Sequence, residues 1–188
     1  MEPWGWDKEL FLALNGDLGH AADLFSRVVS ANTTWIPLYL LILFLVYRRW
    51  GWKTMLATLV FVALGVILAD QVCNIAKHGL KKFRPTHYPP FESLVHTVDN
   101  YRGGLYGTFS AHAATCFSIA IFTIKLFRCW FYTVMILLWA VAVCYSRIYL
   151  GVHYPADILF GTAVGLLFGW CFFRLFRSKR FSQYYPLS

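Results

Sequence analysis

Acidic residues are scarce in this 188-residue chain: nine Asp and Glu stand against seventeen Lys and Arg, and only 14% of positions are charged. So few charges cannot clothe a soluble domain, where about a quarter of residues are charged. Cysteines are few and scattered. Cys73, Cys116, Cys129, Cys144 and Cys171 form no CxxC pair and fall in or beside apolar runs, which argues against a zinc site or a disulfide framework. There is no HExxH, no Walker loop and no acidic cluster, so the usual sequence signs of a metal centre or a nucleotide site are missing. The start, MEPWGWDKEL, has no basic segment ahead of an apolar stretch, and a cleaved leader is not expected.

Apolar residues are abundant instead. The chain is 59% hydrophobic and 19% aromatic, with mean hydropathy +0.53, and the excess lies in runs able to cross a bilayer core of about 30 Å. They predict an all-α polytopic membrane bundle, a single integral-membrane domain over residues 1–188 with spans near 32–47, 54–76, 110–126, 131–145 and 155–173. Ahead of these, residues 4–31 read as two short amphipathic helices at the interface, broken at Asn15, Gly16 and Asp17. A polar loop, 77–108, holds three of the seven prolines and Gly103, Gly104 and Gly107.

The net charge of +8 would suggest nucleic acid in a soluble protein. Here the cations cluster at the ends of apolar runs, so lipid head groups and topology account for them and no nucleic-acid partner is expected. The 48–53 turn, the 125–130 turn and the 174–188 tail are basic and carry no acid. The positive-inside rule makes that side cytoplasmic. The N-terminus, the 77–108 loop and the 146–154 loop then share the outer face. Their cations run against the topological trend, and an anionic ligand is the simplest reason for them.

Ser146 to Asp157 reads SRIYLGVHYPAD. With helix from Tyr154 onward, Asp157 lies one turn from His153. A carboxylate that takes one ring N–H leaves the other nitrogen free as base or nucleophile. Arg147 adds a fixed guanidinium fork. In KHGLKKFRP, Lys77 and Arg84 are seven apart; two helical turns would bring them to one side before Pro85 ends the helix. In YGTFSAH, Ser110 reads as an N-cap and His112 sits in the first turn of the third span, where free N–H groups seat an anion. Such a pocket sets Lys77, Arg84 and Arg147 around the oxygens of a phosphate. His153 would attack phosphorus, Asp157 would hold its tautomer, and His112 would protonate the leaving oxygen and then activate water. Three cations and a helix end take the part of a divalent ion, so neither metal nor cofactor is expected.

Together these motifs resemble the type 2 phosphatidic acid phosphatase superfamily, the lipid phosphate phosphatases, in its bacterial membrane-bound form. Its pattern is K-x6-RP, then PSGH, then SR-x5-H-x3-D, matched by Lys77 with Arg84-Pro85, Ser110 with His112, and Ser146-Arg147 with His153 and Asp157. The resemblance implies the same roles, with Ser110 also on the phosphate. Membrane members often have six spans, so a sixth crossing within 4–31 stays open. The second motif departs from the pattern as Phe109-Ser110-Ala111-His112. Ala111 keeps the N–H that can bind phosphate, while its methyl and the Phe109 ring alter the pocket's shape.

The expectation is therefore a multi-pass phosphatase of the cell (inner) membrane that acts on a lipid phosphate or diphosphate at the outer face, with a cytoplasmic C-terminus. Undecaprenyl diphosphate is the first expectation; phosphatidylglycerol phosphate, phosphatidic acid and lipid A phosphate stand close behind. Two other readings are a vanadate-dependent haloperoxidase, whose pocket is similar, and a non-catalytic protein that binds or transports anionic lipid. Lys81, Lys82 and Arg102 either meet a second phosphate or are solvated. His78, His87 and His96 are expected away from substrate. Asp70 is expected to be structural, with Gln71 and Asn74 or with Lys77.

Overall fold

The structure, a computed structural model, describes residues 3–178. Among these it is all-α, apart from an isolated β-bridge between Phe83 and Tyr106. Six helices follow in order: α1 (Gly5–Leu14), α2 (His20–Ser30), α3 (Ile36–Leu80), α4 (Ala111–Phe127), α5 (Trp130–Tyr149) and α6 (Pro155–Phe176). The expected cytoplasmic tail, 174–188, is described only to Ser178; Lys179 and Arg180 lie outside the described residues.

α3 contains the first two expected spans. At Gly51 the backbone leaves helical geometry (φ 81°, ψ 175°), a left-handed conformation that glycine adopts without a Cβ penalty. The two legs fold back together, since Tyr39 and Ile42 from the first wall the same cavity as Val62 and Val66 from the second. Arg48, Arg49 and Lys53 sit at this turn. With the bend counted, α3 to α6 supply five apolar segments. α3, α5 and α6 are long and apolar enough to cross a membrane, and α4 is a shorter apolar helix of 17 residues. Leu40, Phe44, Val60, Ile67, Leu138 and Leu167 point outward and exposed, a face suited to lipid. α1 and α2 have 10 and 11 residues, about 15 Å of rise, too short for the sixth crossing left open above.

The most extensive helix pair is α4 with α6, and glycine is the cause. A Cβ on Gly161, Gly165 or Gly169 would lie 2.4 Å from the carbonyl oxygen of Ser110, Ala114 or Ser118, respectively. This Gly-x3-Gly-x3-Gly stripe lets the α6 backbone lie directly on α4. Below it, Phe122, Phe173 and Phe176 pack with Trp139 and Ala140 as the main core.

One part of the helix reading is corrected. The second span continues past Ala76 to Leu80 and stops at Lys81, which is left-handed (φ 46°), four residues before Pro85. Lys77 and Arg84 therefore do not share a helix face. Arg84 is extended (φ −66°, ψ 157°) in a strand-like stretch: Arg84 N–H donates to Leu105 O at 3.1 Å and Gly107 N–H to Lys82 O at 2.9 Å.

Candidate active site

The site lies where α3 and α5 end and α4 and α6 begin. Ser110 is the α4 N-cap, its Oγ accepting from the Ala113 N–H at 3.4 Å; Ala111 follows in the first turn, where N–H groups have no intrahelical partner. Ser110 N–H donates to Asp157 O at 3.0 Å, so the α4 cap is tied to the first turn of α6. Asp157 acts as an α6 cap as well, because its Oδ2 accepts the Tyr154 N–H at 3.0 Å. The same oxygen lies 3.4 Å from His153 Nδ1, a long contact of the kind that tightens when substrate binds. His153 precedes the helix cap, so this capping arrangement, more than helical periodicity, joins the pair.

Three cations come from separate elements. Arg147, in the last turn of α5, is 5% exposed and donates through Nη1 to Ser30 Oγ and through Nη2 to Tyr101 OH at 3.5 Å. Its buried Nε has no protein partner among the described residues. Arg84 Nε donates to Tyr106 O at 3.1 Å. A Cβ on Gly103 or Gly107 would lie 2.7 or 2.8 Å from the Arg84 side chain, so the loop glycines flagged in the sequence give that arginine its room. Lys77 donates to Asn74 Oδ1 at 3.2 Å, and Asn74 donates to Asp70 Oδ2 at 2.8 Å. Of the partners expected for Asp70, Asn74 bonds it directly and relays it to Lys77, while no hydrogen bond joins it to Gln71 among the described residues.

His153 is 3% exposed. Burial first, and then Arg84, Arg147, Lys77 and Lys82, hold its imidazole well below the usual histidine range. It is therefore neutral at pH 7, with Nδ1 toward Asp157 and Nε2 free to use its lone pair.

A cavity of about 840 Å³ opens above the site, lined by Arg27, Ser30, Tyr101, Arg102, His112 and Arg147 among others. His153 itself is not on its wall. Through Ser30 and His112 it adjoins a second cavity of about 310 Å³, which reaches Trp35, Tyr39, Val66 and Asp70. That one shares Tyr39 and Val66 with a wholly apolar cleft of about 210 Å³ between the α3 legs and α4.

The structure thus brings Lys77, Arg84, Ser110, Ala111, His112, Arg147, His153 and Asp157 to one end of the bundle. The other expected residues sort differently. Lys81 is exposed. Lys82 is not solvated but 5% exposed and bound to Asp157 and Asp7; it is off the wall of the cavity of about 840 Å³ and lines a separate one with Trp4, Phe109 and Phe160. Arg102 pairs with Glu92 at 2.6 Å. His78 contacts its own helix at Asn74 O, His87 contacts Thr86 and His96 contacts Asp23, and none of the three lines the cavity. Asp7, Ser30 and Tyr101 were not legible as site neighbours, since each is distant in sequence with no motif to mark it. Gly161, Gly165 and Gly169 could have been found from their spacing.

A membrane bundle that gathers a His–Asp couple, a second histidine and three cations at one end defines a class, the integral-membrane phosphohydrolases. The chain matches the PAP2 superfamily over residues 55–181. It is 38% identical over 169 residues to a lipid A 4'-phosphatase of Bacteroides thetaiotaomicron, covering 89% of this chain and 75% of that protein. It is 39% identical over 177 residues to a lipid A 4'-phosphatase of Porphyromonas gingivalis, covering 93% and 74%. Its fold is similar to the crystal structure of Aquifex aeolicus LpxE (TM-score 0.71, 21% identity, 93% and 98% covered). It is also similar to a transmembrane PAP2-type phosphatidylglycerolphosphate phosphatase from Bacillus subtilis (TM-score 0.62, 18% identity, 94% and 90% covered). The chain belongs to the PAP2 superfamily and is a membrane lipid phosphatase.

Proposed function

We propose that this protein removes a phosphate from lipid A or a closely related lipid phosphomonoester through a phosphohistidine on His153. The observation that carries the chemistry is the buried His153–Asp157 pair set among Lys77, Arg84 and Arg147. In the first step the His153 Nε2 lone pair attacks phosphorus, the bond from phosphorus to the lipid oxygen breaks, and His112 gives that oxygen its proton. In the second, His112 takes a proton from water, the hydroxide attacks the phosphohistidine, and the P–N bond breaks to release phosphate and restore His153. The cations, the Ser110 cap and the Ala111 N–H neutralise the charge that builds on the equatorial oxygens. A pocket already lined by cations repels a divalent ion, so the reaction is expected to survive EDTA.

For the lipid itself, the 38% and 39% identical relatives carry the name lipid A 4'-phosphatase, and they replace undecaprenyl diphosphate as the leading candidate. The linked cavities favour a lipid over a soluble ester: a head group fits the polar mouth and an acyl chain the apolar cleft beneath it. The test is phosphate release by the purified protein with EDTA. Its substrates are lipid A, phosphatidylglycerol phosphate, phosphatidic acid, undecaprenyl diphosphate and p-nitrophenyl phosphate. Lipid A is expected to be hydrolysed fastest. Faster release from another lipid would reassign the substrate, and loss of activity in EDTA would remove the metal-free mechanism.

The site faces outward and the C-terminus is cytoplasmic in this reading, because the basic turns lie at the opposite end of the bundle. Cys129 sits at one of those turns and is exposed. A membrane-impermeant maleimide is expected to label it in inverted vesicles but not in intact cells stripped of their outer membrane. Labelling in the intact cells would reverse the orientation.

A further inference from the structure

Asp157 has two oxygens, and the pairing with His153 uses only Oδ2. Oδ1 accepts from Lys82 Nζ at 2.9 Å. Lys82 also donates to Asp7 Oδ2 at 3.2 Å, while Asp7 Oδ1 accepts the Ala156 N–H at 2.9 Å. Asp7, Lys82 and Asp157 are 0%, 5% and 1% exposed. The Lys82 ammonium also lies 4.4 Å from the Tyr154 ring centroid, at cation–π distance. Two buried carboxylates this close repel each other, and the ammonium between them offsets that repulsion. A network so enclosed is too specific for a helix merely resting at a membrane surface.

We infer that Lys82 and Asp7 are positioning residues of the phosphatase reaction: Lys82 holds the free oxygen of Asp157 and so orients the carboxylate toward His153, and Asp7 holds Lys82. This rests on the phosphohistidine reading of His153. It makes α1 a working part of the site, with Asp7 docked on the first turn of α6. Neither residue lines the cavity above the site; both act through Asp157.

The charges around His153 give the inference a signature that packing alone does not produce. His153 is faced by Asp157 from α6, Lys77 from α3, Lys82 and Arg84 from the stretch after α3, Arg147 from α5 and His112 from α4. Lys82 is one of the cations that disfavour its protonation. Without Lys82, His153 keeps its proton to higher pH. Without the Asp7 charge, the Lys82 ammonium acts undivided on Asp157 and His153, and the imidazole loses its proton at lower pH.

The test uses the full chain in detergent micelles with lipid A as substrate, as wild type, Lys82→Met, Lys82→Arg, Asp7→Asn and His153→Ala. Lys82→Met is expected to lower kcat by about 10- to 100-fold, as loss of an outer partner of a catalytic group does, with KM near the wild-type value. The acid limb of kcat/KM moves up by about half a pH unit in Lys82→Met and down in Asp7→Asn, and Lys82→Arg regains most of kcat. If Lys82→Met does not fold, the isosteric Asp7→Asn decides: a limb moved to lower pH supports the inference, and an unmoved limb overturns it. Reduced activity with unmoved limbs in both variants also overturns it. Retained activity in His153→Ala would instead remove the phosphohistidine reading, so the two failures are distinguishable.

Discussion

His153→Ala is expected to abolish phosphate release, by on the order of 10⁴-fold in kcat, as loss of a nucleophile does elsewhere. The reason is local. Three cations and a helix N-terminus converge on this imidazole, and they stabilise charge on phosphorus only if something attacks it. Wild type quenched in alkali during turnover should carry an acid-labile phosphate that the variant lacks. The pH dependence follows from the environment of His153. Burial, then Arg84, Arg147, Lys77 and Lys82, hold the imidazole well below the usual histidine range. The attacking form is the neutral one, so activity is present above the shifted pKa and lost as pH falls through it. The acid limb of kcat/KM should therefore lie below the ordinary histidine pKa of about 6.5. A limb at or above that value, or full activity in His153→Ala, would take the nucleophile's role from this residue.

Gly165→Leu is expected to be the most damaging substitution away from the reacting atoms. A Cβ at this position would lie 2.4 Å from Ala114 O and 2.9 Å from Ala114 Cα, and a backbone cannot swing aside as a long side chain can. Overpacking of this kind costs about 3 kcal/mol or more. It also parts the two helices that hold opposite sides of the site. α4 presents Ser110 and His112, α6 presents Asp157, and the Ser110 N–H to Asp157 O bond of 3.0 Å depends on their contact. Thermal unfolding in detergent should show a large loss of stability, and the remaining folded protein should be less active per molecule. Gly104→Ala is the control: a Cβ there meets nothing within 4 Å, and both stability and activity should match wild type. A Gly165→Leu protein as stable as wild type would show that α4 and α6 do not pack on this stripe.

Much of this was legible in one sequence. Long apolar runs leave a chain few alternatives in a bilayer, because every backbone polar group must be satisfied within a helix. The span limits were therefore readable to within a few residues. The residues of the proposed site were singled out because phosphate chemistry needs cations, an acid and a nucleophile in a recognisable order. Ser110 was identifiable as a cap because its hydroxyl beside an apolar run serves that purpose.

What escaped were relations between distant residues. Nothing local marks Asp7 as a partner of Lys82, 75 positions away, or Ser30 as a partner of Arg147, 117 away. Arg84 was placed on a helix because its spacing from Lys77 fits two turns, yet the left-handed Lys81 ends α3 first and Tyr106 holds Arg84 in an extended stretch. The order of chemical groups and the membrane-spanning pattern were set by the sequence alone, since both follow from residue type and local spacing. Which charges meet, and that α1 belongs to the site, was decided only by tertiary packing. Buried ions take whichever opposite charge the fold brings within reach, and that choice leaves no periodic trace along the chain.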